Sequence, residues 1–106
     1  MKRNELLDQV KQTIHAIEPN ADIILYGSRA RGDAHAESDW DFLILLDGVV
    51  DDERTDAIRH RLYEIEWDCG EVLSSSSIVR SRQEWDTPIH QVTPLSKVIR
   101  EQGILI

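Results

Sequence analysis

The amino-terminal quarter of the chain contains two contrasting patterns of apolar residues. The first recurs every three or four positions and predicts an amphipathic helix over residues 3–17; its apolar members are Leu6, Leu7, Val10, Ile14 and Ile17. Pro19-Asn20 ends this helix. The second pattern, the short apolar run from Asp22 to Tyr26, is closed by Gly27 and is too short for a helix. It therefore predicts a buried strand followed by a turn.

The middle of the chain predicts a second strand and a second long helix. Residues 40–46 are apolar on both faces beyond Asp41, which is typical of a central strand. Acidic residues at 51–53 favour a helix start, because negative charge is stabilised at a helix amino terminus. Its buried stripe comprises Ile58, Leu62 and Ile65, and we expect it to end near Trp67.

The last third of the chain predicts one strand and a helical tail. Residues 71–79 combine Val, Leu and Ile with four serines, which disfavour a helix interior, so we expect a third strand. Thr87-Pro88 and Thr93-Pro94 each place a capping residue before a proline, a pair typical of helix starts. Gly103 is the expected carboxyl-terminal cap. The element order predicts a small α/β or α+β domain.

Length, charge and cysteine content exclude several classes of protein. A chain of 106 residues is expected to form a single domain spanning residues 1–106. Its net charge of −8 disfavours nucleic acid as a partner, since phosphate backbones would repel it. The single Cys69 cannot form an intrachain disulfide, and no stretch approaches the ~18 apolar residues of a membrane span. We expect a cytoplasmic protein with no membrane association.

Asp39 and Asp41 are the first candidates for chemistry. They flank Trp40 at the start of a predicted strand, so the two-residue period places both carboxylates on one face. Adjacent carboxylates repel each other, and a divalent cation such as Mg²⁺ relieves that cost. The alternative is that both acids only solubilise the entrance of the strand, because the Asp-x-Asp triplet is common by itself.

The turn that precedes these aspartates in the chain favours a cation site over a merely solubilising role. Gly27-Ser28 ends the first strand, where a glycine permits close backbone approach and free N–H groups of a following helix start can hold an anion. If residues 28–32 begin a helix, Ser28 and Arg31 lie one turn apart and converge on the same phosphate. Ser38 either caps the strand entrance or contacts phosphate.

Together, the run from Gly27 to Gly32 and the run Ser38-Asp39-Trp40-Asp41 resemble the signature of the DNA polymerase beta-like nucleotidyltransferase superfamily. The closest resemblance is to its minimal nucleotidyltransferase (MNT) branch. It implies a small nucleotidyltransferase fold, with a short mixed sheet of three or more strands flanked by helices. It also implies a nucleoside triphosphate held by Gly27, Ser28, Arg31 and Ser38, with two Mg²⁺ ions on the aspartates.

The same resemblance implies a third metal-binding carboxylate on a later strand. Glu71 is the candidate because it opens the predicted serine-rich strand, whereas Asp68 lies beside Cys69-Gly70, where a turn is expected. Family members usually carry aspartate here. Glu71 would therefore join Asp39 and Asp41 as a catalytic and metal-binding residue, with Asp68 as the alternative.

Three functions remain open from the sequence. MNT proteins are often antitoxins that transfer AMP from ATP to a tyrosine of a HEPN-domain partner, so the resemblance implies a protein acceptor. The segment 47–68, with eight acidic and three basic residues, is either a solvated helix face or a docking surface for a basic partner. The alternatives are a catalytically silent module that neutralises its partner by contact, and a small-molecule transferase acting as a homo-oligomer.

Overall fold

The computed structural model describes residues 3–32, 40–70, 77–88 and 92–106. The apolar patterns predicted the order helix, strand, strand, helix, strand, helix, and these six elements are present together with three short ones that the patterns did not show. The elements, in chain order, are α1 (Arg3–Ile17), β1 (Asp22–Tyr26), α2 (Ser28–Arg31), β2 (Asp41–Leu46), α3 (Asp52–Cys69), β3 (Ile78–Ser81), α4 (Arg82–Trp85), α5 (Pro94–Gln102) and β4 (Ile104–Leu105).

The strands form one mixed sheet in the order β3-β2-β1-β4. β1 pairs with β2 and with β4 in antiparallel fashion, whereas β2 and β3 are parallel. Because β2 and β3 are parallel, α3 carries the chain back from the Leu46 end of β2 to the end that bears Asp41. The prediction of a small α/β fold with a mixed sheet flanked by helices is confirmed.

Both faces of the sheet are covered, and β2 contributes side chains to each. Phe42, Ile44 and Leu46 pack in the larger core with the apolar stripes of α1 and α3. Leu43 and Leu45 alternate with them and pack on the opposite face, in a smaller cluster with Trp85 and Ile99. This two-sided burial confirms that β2 is a central strand and explains its continuous apolar run.

Two arginines form hydrogen bonds at the end of the sheet where β1 begins and β2 ends. Arg54 of α3 donates hydrogen bonds of 2.9 and 2.8 Å to the two carboxylate oxygens of Glu18, just after α1. Arg82 donates to the carboxylates of Asp47, at the end of β2, and Asp22, at the start of β1. These charge-assisted hydrogen bonds fix the connection from α1 to β1 and the connection from β2 to α3 against the rest of the fold.

Element boundaries differ from expectation in several places. β2 begins at Asp41 and not at Trp40, and α3 continues two residues beyond Trp67 to Cys69. Gly70 then adopts φ +75° and donates its N–H to the Glu66 carbonyl, a cap that the sequence analysis did not use. β3 is formed by Ile78–Ser81, while residues 71–76, which the prediction included, lie outside the described residues.

The tail also differs in part. Thr93 caps α5 by accepting a hydrogen bond from the Ser96 N–H, as its position before Pro94 predicted. Gly103 is the carboxyl-terminal cap of α5, as predicted, and donates its N–H to the Ile99 carbonyl; its backbone is extended, with φ −67° and ψ 143°, where a capping glycine is commonly left-handed. A Cβ at Gly103 would clash with the Ile24 side chain and the Ile99 carbonyl, so close packing explains this glycine. The helix predicted after Thr87-Pro88 runs into residues 89–91, outside the described residues.

Among the helices of the described ranges, none is both long and apolar enough to cross a membrane.

Candidate active site

The antiparallel register of β1 and β2 places Asp41 at the turn after β1. Asp41 is the Cα partner of Tyr26, the last residue of β1, so its side chain lies beside the next residue, Gly27. A Cβ built on Gly27 would lie 2.5 Å from Oδ2 of Asp41 and 3.4 Å from its Cγ. The candidate phosphate turn and the candidate metal ligand are therefore in direct contact.

Glycine is required at position 27 for two independent reasons. Its φ of +78° lies in the left-handed region, which L side chains adopt only at a cost. The space that a side chain would occupy is also taken by the Asp41 carboxylate. From the sequence, Gly27 was expected to let an anion approach the backbone closely. Within the described residues, the group that lies against it is the Asp41 carboxylate.

The Tyr26 hydroxyl contributes to the electrostatics of this end of the sheet. Tyr26 is 8% exposed, and burial raises the pKa of its hydroxyl above the ordinary value; the negative charge of Asp41 raises that pKa further. Tyr26 therefore remains a neutral phenol near neutral pH. Asp41 itself is half-buried at the start of β2.

Arg29 links α2 to the start of β2. Its guanidinium carbon lies 4.5 Å from the ring centroid of Trp40, which is only 3% exposed. Trp40 stacks in turn on Phe42, with ring centroids 6.4 Å apart and planes within 9° of parallel. This cation–π contact joins the element after Gly27 to the residue before Asp41. Arg29 is not identifiable as a site residue from the sequence alone, because no spacing rule relates it to Trp40.

The remaining predicted site residues are described to different extents. Ser28 and Arg31 are the first and last residues of α2, so the short helix expected between them is present; their side chains are not described. Ser38, Asp39 and Glu71 lie outside the described residues. Their roles stay predictions.

Asp68, the alternative third carboxylate, is an exposed residue in the last turn of α3. The turn expected around it is therefore helical up to Cys69. Ser77, which is described and 3% exposed, leads into β3 at the same end of the sheet as Asp41, because β2 and β3 are parallel. The chain between Gly70 and Ser77 contains Glu71.

The donor chemistry of this edge fits Mg²⁺. Carboxylate oxygens are the ligands that Mg²⁺ prefers, and the missing side chain of Gly27 leaves room for the Asp41 carboxylate at the turn. Within the described part of the chain, no three His, Cys, Asp or Glu side chains form a group that could hold a metal ion. The two carboxylates predicted to complete the set, those of Asp39 and Glu71, belong to the segments that are not described.

The sheet order, the helices on both of its faces and the contact between turn and carboxylate define a nucleotidyltransferase-like fold. Residues 5–102 match the family described as "Nucleotidyltransferase domain", so the chain belongs to that family. The family assignment confirms the resemblance on which the site prediction rests.

Comparison with solved structures supports the same fold. The chain is similar to one in the structure described as "Crystal structure of the toxin-antitoxin with AMP-PNP", with a TM-score of 0.61 and 15% identity. The similarity covers 92% of this chain and 69% of the other. No curated protein matches the sequence.

Proposed function

We propose that this protein is a Mg²⁺-dependent nucleotidyltransferase that transfers AMP from ATP to a hydroxyl group of a partner protein. The observation that carries the proposal is the contact between Gly27 and the Asp41 carboxylate. It joins the two halves of the nucleotidyltransferase signature in a chain that belongs to that family. A carboxylate held against a phosphate-binding turn is suited to a metal ion shared with nucleotide phosphates.

The site residues have two roles in this proposal. Asp39, Asp41 and Glu71 are the acidic residues that would hold two Mg²⁺ ions. The second set would bind the phosphates and comprises the backbone at Gly27, the hydroxyls of Ser28 and Ser38, and the Arg31 guanidinium. When bound, Mg²⁺ would neutralise phosphate charge and lower the barrier to substitution.

The reaction is a substitution at the α-phosphorus of ATP. The acceptor oxygen forms a bond to the α-phosphorus, the bond from that phosphorus to the bridging oxygen of the β-phosphate breaks, and pyrophosphate leaves. The proton of the acceptor hydroxyl goes to a carboxylate, for which Glu71 is our candidate. Arg31 stabilises the triphosphate charge through charge-assisted hydrogen bonds.

The proposed acceptor is a tyrosine of a HEPN-type protein, with this chain acting as its antitoxin. Similarity to a chain from a toxin-antitoxin structure with AMP-PNP supports both the nucleotide and the partner. The net charge of −8 supports a protein acceptor over a nucleic acid. We further propose that the 106 residues form a single domain.

The test is to incubate the purified chain with ATP labelled at the α-phosphate, Mg²⁺ and the protein encoded by the adjacent reading frame. We expect label on the partner with the wild type and none with Asp41→Asn. Asp8→Asn is the matched control, because Asp8 is an exposed residue of α1, outside the acidic segment 47–68, and loses the same charge. Binding of the partner without labelling would favour the silent module, and absence of binding would favour a small-molecule acceptor.

A further inference from the structure

Two aromatic residues of α3 face solvent. The core stripe of this helix consists of Ile58, Leu62 and Ile65, all at most 2% exposed. Tyr63 and Trp67 lie on the opposite face and are 49% and 76% exposed. Their rings meet edge to face, with centroids 6.4 Å apart and planes at 88°. Large aromatic residues exposed together are typical of binding surfaces.

The aromatic pair borders a shallow pocket of about 330 Å³. Among the described residues, its lining consists of Tyr63, Glu66, Trp67 and Gly70, which we call the aromatic face. A Cβ on Gly70 would meet no atom of the described residues within 4 Å. Aromatic rings combined with a carboxylate are the groups that bind a guanidinium, through cation–π contact and charge-assisted hydrogen bonds.

The surrounding charge favours a cationic ligand. The segment 47–68 carries a net charge of −5, and one of its three basic residues, Arg54, is paired with Glu18. Arg61 lies 3.7 Å from a carboxylate oxygen of Glu64, on the side of α3 away from the aromatic face. Arg59, one helical turn before Tyr63, is the basic residue of the segment on the same side as the aromatic face, and the segment stays acidic with it included. A second copy of this acidic chain would be repelled here, whereas a basic segment would be attracted.

The chain topology places the aromatic face at the same end of the sheet as the candidate active site. α3 returns the chain to the end of the sheet at which β2 begins with Asp41, and Tyr63 and Trp67 belong to the carboxyl-terminal part of α3. A partner bound to the last turns of α3 would therefore lie at the same end of the sheet as Gly27 and Asp41.

We propose that the aromatic face is a binding site for an arginine side chain on a basic segment of the partner protein. The guanidinium lies against the Trp67 ring and pairs with the Glu66 carboxylate, while Tyr63 supports Trp67 from its edge. The inference rests on the proposed function only for the identity of the partner. It adds to that function the surface by which the acceptor protein is held beside the active site.

The test uses a fluorescein-labelled, capped hexaarginine peptide and the full chain, with affinity measured by fluorescence anisotropy. Trp67→Ala is expected to weaken binding about tenfold, the scale of an aromatic residue central to an interface. Glu66→Gln is expected to weaken it as well. Val49→Ala is the matched control, because Val49 is 83% exposed, uncharged and located just before α3. It should bind as the wild type does.

The outcomes separate this inference from the proposed function, because no nucleotide is used. Equal affinity of the wild type and Trp67→Ala, or no binding of the peptide to the wild type, would overturn the arginine site whether or not AMP is transferred. Sedimentation equilibrium tests whether a second copy of the chain occupies the aromatic face instead. If the wild type formed a dimer and Trp67→Ala were a monomer, the aromatic face would be a dimer interface and the arginine site would be overturned. Circular dichroism confirms that each variant is folded.

Discussion

Substitution of Gly27 by alanine should test whether the Asp41 carboxylate acts from its position against the turn. The new Cβ would lie 2.5 Å from Oδ2 of Asp41, about 0.9 Å closer than ordinary contacts allow. The carboxylate must therefore move by nearly that distance. Displacement of a catalytic group by about 1 Å costs on the order of 10²-fold in rate. We expect a loss of transfer of that size and weaker Mg²⁺-dependent binding of ATP.

Gly27→Ala also carries a backbone cost that needs its own control. Alanine at φ +78° is destabilising by about 1 to 2 kcal/mol, which lowers Tm by about 5 to 10 °C in a domain of this size. Gly48→Ala pays the same kind of cost at φ +76°, but its Cβ would meet only Arg54, at 3.9 Å. We expect Gly48→Ala to lose stability and keep activity.

The assay combines thermal unfolding with calorimetric titration of a nonhydrolysable ATP analogue in the presence of Mg²⁺, and with transfer to the partner. If Gly27→Ala bound nucleotide and transferred AMP as well as Gly48→Ala does, the Asp41 carboxylate would not act from its position at the turn. The account of the site would then be wrong.

Three further predictions address residues whose side chains are not described or whose role is unassigned. Asp39→Asn should abolish transfer and leave circular dichroism unchanged, because it removes a metal ligand; substantial Mg²⁺-dependent activity would contradict this. In calorimetry, Arg31→Ala should reduce the free energy of nucleotide binding by about 1.5 to 3 kcal/mol and Ser28→Ala by about 1 kcal/mol, because the hydrogen bonds of an arginine are charge-assisted. Unchanged affinity in both variants would show that neither residue binds phosphate. Glu71→Gln should reduce transfer about 10²-fold with little effect on nucleotide affinity, as expected of a positioned base. If Glu71→Gln kept full activity and Asp68→Asn lost it, the third carboxylate would be Asp68.

Strong local patterns made much of the fold predictable from the sequence. The helix over residues 3–17 and the strand Asp22–Tyr26 have the bounds that apolar spacing indicated. β2 was recognised as central because its apolar run leaves neither face polar, and both faces are in fact buried. These elements are determined by which side chains must leave water.

Two short elements, β4 and α4, were not predicted from the sequence. β4 comprises only Ile104–Leu105 and exists because it pairs with β1, which no local pattern reveals. α4 was missed because its four residues are too few to show a helical period; its cap, Ser81, is also the last residue of β3.

The candidate site was predictable in its residues and less so in its geometry. The Gly-Ser turn and the Asp-x-Asp triplet stand out in the sequence, but the contact between Gly27 and Asp41 depends on the register of two strands. The Arg29–Trp40 contact likewise joins side chains eleven positions apart in the chain. Pairings of this kind follow from tertiary packing, so sequence spacing alone does not indicate them.

The central claim is that Asp41, held against the turn at Gly27, serves nucleotidyl transfer to a partner protein. The most direct measurement is the intact mass of the partner after incubation with ATP, Mg²⁺ and either the wild type, Asp41→Asn or the control Asp8→Asn. The account predicts an increase by whole adenylyl groups with the wild type and with Asp8→Asn, and none with Asp41→Asn. An unmodified partner with the wild type, or a modified one with Asp41→Asn, would contradict it.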